Sequence, residues 1–559
     1  MKRFLCLLLV CIIVLIPFFG CNMLIEEGKE NESQSNEDIW IMAETSAFVK
    51  YPELVTYTLG KETSTNNSNM PEGDTYEDNA YTRYLREKLN IQNENVFEAM
   101  GDEYNMEVSM AIAMGDIPDI MVVNSFSDVE LLHKMGLIAD LSESYENCAS
   151  QRIKDMFASY GDELLDSVTL DGQLVAIPET NIEQGPDLIW LRKDWMDELG
   201  LSEPETLEDV EYIISKFLEA DSKRVGLVTT DSLCGESGYG SQYLLEAVFA
   251  SYGAYPKQWL QSEDGTVYYG SVQPEAKEAL AHLQEMYSKG IIDKDFLFRS
   301  TNDIIRMIEN DVCGSFFGPW WSSNNPLMNA ISKNPDAEWQ PYLISTDDGG
   351  VTRYHSTIPT NYKYVVVSKD FEHPEAVWKI ISVLFDYARY QDKSGVTEVA
   401  EYDKNAVDPT ARPLVINVDY SNALTLCYQN VQAVLDGEKE LDDLNAMEKS
   451  YAEQCLAYLE EEDNATAEQW AAYTSRVTAC SLISGDNVEM VKSLFFANTS
   501  TMETSWWQLK ELESDAYLRI VTGQADISYF DTFVDKWYAQ GGKTIAREIK
   551  AYLTIKERE

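Results

Sequence analysis

The chain has 559 residues, of which 45% are apolar and 11% aromatic, so it is neither disordered nor small enough for a single compact core. Asp and Glu number 95 against 43 Lys and Arg, a formal charge of -52. A surface that acidic repels polyphosphate and anionic headgroups, which excludes nucleic acid as a partner, favours a soluble monomer and leaves a neutral or cationic ligand.

Lys2 and Arg3 precede an uncharged apolar run over residues 4–19 that stops at Gly20-Cys21. The run is short for a membrane-spanning helix, and its basic start and small-residue end fit a signal peptide. Phe18-Phe19-Gly20-Cys21 resembles the bacterial lipobox, with Phe at both positions where that pattern prefers a small or aliphatic residue. The resemblance implies cleavage before Cys21 and lipid on its sulfur, hence a lipid anchor on the extracellular face of the cell membrane. An ordinary signal peptide, or an uncleaved anchor with an incidental Cys, is the other reading. Losing residues 1–20 removes two bases and no acids, taking the formal charge from -52 to -54. Residues 21–38 are rich in Glu, Asn and Ser and read as a flexible tether, with the folded body starting near Ile39.

Val55-Thr-Tyr-Thr-Leu59 alternates as a strand does, and Tyr81, Tyr84, Leu85 and Leu89 share one face of a helix over 79–89. Residues 117–123 read as a buried strand and 127–135 as the next helix. Such alternation predicts an α/β sheet covered by helices on both faces. Asp171-Gly172 marks a hairpin turn. Residues 188–191 read as a strand, 192–199 as a helix stopped by Gly200, and 206–220 as a helix with Thr206 and Asp209 spaced for a capping box. Pro274 and Gly290 bracket a helix over 274–289. Residues 373–390 read as another, and from Met447 onward nearly everything reads as helical. Cys148, Cys234, Cys313, Cys427, Cys455 and Cys480 show no ligand spacing and read as buried thiols. Asp347-Asp348-Gly349 lacks the rest of a calcium loop, so neither metal nor cofactor is expected.

Several stretches carry a resemblance. They are Ala113-Met-Gly-Asp-Ile-Pro-Asp-Ile120, Leu170-Asp-Gly-Gln-Leu-Val-Ala-Ile-Pro178 and Leu191-Arg-Lys-Asp-Trp-Met-Asp-Glu-Leu-Gly-Leu201. Phe317-Gly-Pro-Trp-Trp321 follows, and then Ile520-Val-Thr-Gly523 with Asp531, Trp537 and Gly541-Gly542. In this order they resemble the extracellular solute-binding proteins of carbohydrate ABC importers, in particular the large surface lipoproteins of Gram-positive bacteria. The Gly-Pro-Trp turn is similar to that of maltose-binding members. The resemblance spans roughly residues 39–555. It implies a two-lobed periplasmic-binding-protein-like fold of type II, with interleaved lobes, a hinge, a ligand cleft and a helical C-terminal extension. Residues 39–182 and 358–405 would form the first lobe, and 183–357 and 406–559 the second. Lobe closure would present an oligosaccharide, or another small polar solute, to ABC permease subunits in the membrane.

A sugar ring offers an apolar face to aromatic rings and a rim of hydroxyls to carboxylates and amides. Trp320 and Trp321, after a rigid Gly-Pro turn, are the foremost candidates; burial in the lobe is their other reading. Asp194 and Trp195 are candidates that equally fit helix packing and an N-terminal carboxylate. Asp119, at its Pro-Asp turn, is a candidate or a turn residue. Glu77, Asp78 and Asn79 are further candidates, Asp78 or Asn79 being also a natural helix cap. Asn361, Tyr362 and Tyr364 lie on the expected return crossing. A surface glycoside hydrolase is the competing function, but no carboxylate pair stands in a recognisable motif, and four His leave little for acid–base catalysis. A peptide ligand, or a role as sensor input, is compatible with the same fold.

Overall fold

A computed structural model describes residues 36–64, 70–235, 242–347, 349–356, 363–392, 397–404, 407–461, 464–496 and 498–556. The export signal, Cys21 and most of the tether lie outside the described residues, as do Asn361 and Tyr362. Helix Asn36–Glu44 begins just before the expected start of the folded body.

The first sheet is five-stranded, in the order Ile91–Ala99, Val55–Glu62, Ile120–Val123, Tyr364–Val367, Ile177–Pro178. The first three strands run parallel, and Tyr364–Val367 enters antiparallel to both its neighbours. Ile120–Val123 and Tyr364–Val367 are buried along their whole length, as strands covered on both faces must be. Gly60 is required in strand Val55–Glu62, because a Cβ there would sit 2.5 Å from the Phe97 ring. Asn79 caps helix Ala80–Leu89, and Tyr81, Tyr84, Leu85 and Leu89 form its buried stripe as the spacing predicts.

In the second sheet Leu188–Arg192 lies between Ser315–Gly318 and Trp339–Tyr342, antiparallel to both. Parallel bridges from Val225 to Cys313 and from Leu227 to Ile292 extend it. The Thr206–Asp209 capping box opens helix Leu207–Ala220, and Gly290 closes Pro274–Lys289 in the left-handed conformation. Thr352–Ser356 pairs in parallel with Val488–Lys492, a strand inside a stretch that reads as helical in sequence. The strand forms because its backbone is completed by a segment more than a hundred residues away, which local pattern does not carry.

One core gathers side chains from Ala43 to Ile177 and again from Tyr364 to Val418. Two others gather side chains between Leu188 and Ile344 together with residues from Leu424 onward. The chain thus passes between cores three times. Val407, Ala411, Leu414, Ile416 and Val418 pack in the first core, beyond the residue-405 boundary drawn from the sequence. The six cysteines are all buried thiols. Among the described residues no helix is long and apolar enough to cross a membrane.

Candidate ligand-binding site

In an open α/β sheet the crevice opens at the carboxyl ends of the parallel strands. In the first sheet that edge carries Lys61 and Glu62 and the exit of Ile120–Val123. Register places Tyr364 opposite Val123 and beside Pro178, so the antiparallel strand starts at the same edge. In the second sheet Gly318 pairs with Leu188, and the chain turns there into Trp320-Trp321.

The passages between cores meet at this edge. The Glu179 amide donates to the Lys363 carbonyl at 2.9 Å, and Thr180 to the Asn417 carbonyl at 2.8 Å. Glu183 donates to the Ser421 carbonyl at 2.9 Å. Asn417 N–H reaches Glu179 Oε2 at 3.4 Å, and Asp419 N–H reaches Thr180 Oγ1 at 2.8 Å. Three separate crossings therefore lie side by side, with Glu179 among them.

Charge here is paired. Lys363 Nζ lies 2.8 Å from Glu62 Oε2. Lys61 is fully buried, donates from Nζ to the Glu62 carbonyl at 2.6 Å and lies 5.2 Å from the Tyr76 ring centre. Burial pulls its ammonium down to about 7. Burial also raises the Glu179 carboxyl to about 7, outweighing the attraction of Lys363. Its Oε1 is buried with no hydrogen-bond partner among the described residues. Farther along the same crossing Asp187 is buried near Glu246; desolvation first, then Glu246, holds its carboxyl well above the usual range. His355 Nε2 lies 2.8 Å from Glu246 Oε1.

The Glu179 shift has a sign that titration resolves. A carboxyl raised from 4.5 to about 7 stabilises the fold fully below about pH 4.5 and loses that contribution as pH rises through about 7. Glu179→Gln keeps the shape and removes the titration. Relative to this variant, the wild type should lose up to about 3 kcal/mol between pH 4.5 and 8 in denaturant unfolding. A wild-type-minus-variant difference that stays flat across that range contradicts the assignment.

The structure sorts the sequence candidates. Trp320 is buried, its Nε1 donating to Gln184 Oε1 at 3.0 Å on the first crossing, with the Arg476 guanidinium 4.5 Å from its ring centre. Trp321 is the more exposed of the pair. Tyr364 is buried at the edge, its ring 5.9 Å from that of Phe126. Glu77 Oε1 accepts from the Asn95 amide at 2.6 Å, and Asp78 pairs with Arg83 at 3.1 Å. Asn79 takes the capping role: its Oδ1 accepts from the Tyr81 and Thr82 amides, and its Nδ2 donates to the Thr75 and Ala411 carbonyls.

Three candidates stand at the wrong ends of their sheets. Asp119 precedes Ile120, at the end opposite Tyr364, and its Oδ2 accepts from Thr58 N–H and Oγ1, both at 2.8 Å. Asp194 and Trp195 follow Arg192, at the end away from Gly318. Asp194 is held by Arg192 through two hydrogen bonds of 2.8 and 2.7 Å. Trp195 packs between Arg192 and Arg224, whose guanidinium carbons lie 4.5 and 3.6 Å from its ring centre, over Gly314, where a Cβ would meet the ring at 2.3 Å. These side chains serve packing. Sequence reasoning missed Glu62, Lys363, Glu179, Gln184 and Arg476; only the Lys61-Glu62 charge doublet closing an apolar strand carries a local signal.

No family model matches the chain. It is 22% identical over 455 residues to the polygalacturonan/rhamnogalacturonan-binding protein YtcQ of Bacillus subtilis, a match covering 79% of this chain and 81% of that one. It is 25% identical over 232 residues to the fructooligosaccharide ABC transporter substrate-binding protein FusA of Streptococcus pneumoniae, covering 39% and 42%. The crystal structure of an extracellular solute-binding protein from Bifidobacterium longum subsp. infantis superposes with a TM-score of 0.60 at 13% identity, covering 89% of this chain and 98% of that one. The fold is that of an extracellular solute-binding protein. In a solute-binding fold of this kind, hinge motion of two bodies closes them around a ligand, and the segments crossing between the bodies take up the change. In this chain the segments that cross between the cores are the ones that converge on Glu179.

Proposed function

We propose that the protein is a surface receptor that captures an oligosaccharide between its two lobes and hands it to the permease subunits of an ABC importer. The observation that carries this reading is the convergence of three crossings at the edge where both sheets open. The names of YtcQ and FusA, a polysaccharide-binding protein and a transporter substrate-binding protein, support it. They also support binding rather than catalysis as the activity. In this reading Cys21 carries the lipid anchor, residues 22–35 tether a monomeric body outside the cell, and the lobes are 39–182 with 358–418, and 183–357 with 419–559. Trp321 stacks on sugar rings from the second lobe, while Trp320, held by Gln184 and Arg476, shapes the turn behind it. Tyr364, Glu77 and Asp78 face them from the first, with Asn361 and Tyr362 on the return crossing. Lys363 is paired with the Glu62 carboxylate and Lys61 is buried against the Glu62 carbonyl, an arrangement that favours a neutral ligand over an anion at the described first wall.

The test is a thermal melt against fructo-, malto-, xylo- and galacto-oligosaccharides at millimolar concentration. A ligand at about 100 times its Kd adds about 2.7 kcal/mol, so one series should raise Tm by about 2 °C or more. No shift with any oligosaccharide overturns the reading.

A further inference from the structure

A second concavity lies within the second lobe, and none of its lining residues belongs to the crossings. It is a half-open hollow of about 630 Å³ between the hairpin Trp259–Gln261/Val267–Tyr269 and the start of helix Lys543–Lys556. That volume is within the range of about 300–1,000 Å³ usual for small-molecule sites. Its walls carry three half-buried tyrosines, Tyr255, Tyr268 and Tyr538, above a floor that includes Leu260 and Gly270. Gly270 admits no side chain, since a Cβ would lie 1.9 Å from the Tyr255 carbonyl oxygen.

The rim is unusual for so acidic a protein. Lys543 and Arg547 line the pocket, and Lys550 follows on the same helical face at i, i+4, i+7 spacing. Among the described residues none of the three forms a close ion pair, though Lys550 attracts the Asp264 carboxylate and Lys543 Nζ lies 5.7 Å from the Tyr538 ring centre; all three are exposed. The lining also holds two carboxylates, Asp264 and Glu275. Asp264 Oδ1 accepts from Ser262 Oγ at 2.7 Å and from Thr266 N–H at 3.0 Å within its own hairpin. Glu275 sits in the first turn of helix Pro274–Lys289, where the helix dipole favours it.

Aromatic faces take the apolar side of sugar rings, and unpaired cations at hydrogen-bonding reach take carboxylates. We propose that this pocket is a second saccharide site, separate from the interlobe cleft, and that it binds a short carboxylated glycan of the uronic-acid class. Tyr268 and Tyr538 stack the rings, and Lys543 and Arg547 pair with the carboxylates. The site stands independently of what the cleft binds.

Calorimetry with tri-galacturonate and with its methyl ester tests it. The ester has the same rings without the charge. Binding of tri-galacturonate should survive in Trp321→Ala, and should weaken about tenfold or more in Lys543→Ala/Arg547→Ala and in Tyr268→Ala, the loss expected for a desolvated charged or aromatic anchor. The ester should bind the wild type about tenfold more weakly than the acid. The double variant changes only exposed side chains, so it decides the question even if Tyr268→Ala folds poorly. Absence of binding at millimolar tri-galacturonate overturns the proposal. So does binding lost in Trp321→Ala but kept in the double variant, and so does equal competition by inorganic phosphate, which marks a bare anion site.

Discussion

Lys379→Met is expected to destabilise the first lobe by about 3–5 kcal/mol, the range for stripping a buried charge network of its central member. Lys379 is fully buried on helix Ala376–Ile381, and its Nζ donates to the carbonyls of Ala43, Ser46 and Val49 at 2.7, 2.6 and 2.8 Å. Burial pulls the ammonium down to about 8, so at neutral pH it remains protonated and offers three N–H donors to three acceptors. The Tyr51 ring lies 5.0 Å from the same Nζ, and Tyr51 Oη donates to Glu375 Oε1 at 2.6 Å. One side chain therefore fastens residues 43–51 to the lobe. Met fills the volume but leaves the carbonyls unsatisfied, each lost partner being worth about 1–3 kcal/mol. Urea unfolding should show an early first transition, and limited proteolysis should cut near residues 43–50. A loss under about 1 kcal/mol contradicts the fastening role.

What the sequence discloses depends on the range of the interaction. The cap at Asn79, the box at Thr206 and Asp209, and the Pro274 to Gly290 bracket are local, and each element stands where its residues put it. The α/β class follows from the same alternation. Candidates in the site fared by a different rule. Asp119, Asp194 and Trp195 sit in recognisable stretches, yet whether a strand end faces the crevice depends on strand direction within the sheet, which a stretch of ten residues does not contain. Trp320 and Tyr364 lie at the edge where the crossings meet because strands of the two sheets deliver them there. Glu179 was invisible because its environment is made by Lys363 and Asn417, both more than 180 residues away. Gln184 likewise acquires meaning only from the Trp320 indole 136 positions later. Val488–Lys492 has the same origin as a strand, through its partner Thr352–Ser356.

Trp321→Ala should weaken oligosaccharide binding about 10- to 100-fold, with a smaller loss of stability in the unliganded protein. Trp320 is held by Gln184 and Arg476 and shapes the turn from within, whereas Trp321 is the half-buried ring beside it, with one side packed against the core. A ring that stacks on sugar contributes to the closed, liganded form and little to the open one, so its loss falls on affinity and closure together. Small-angle scattering during an oligosaccharide titration reads both. The radius of gyration of the wild type should fall and saturate with ligand, and Trp321→Ala should need at least about tenfold more ligand for the same fall. A radius of gyration unchanged at saturating ligand would contradict capture by lobe closure.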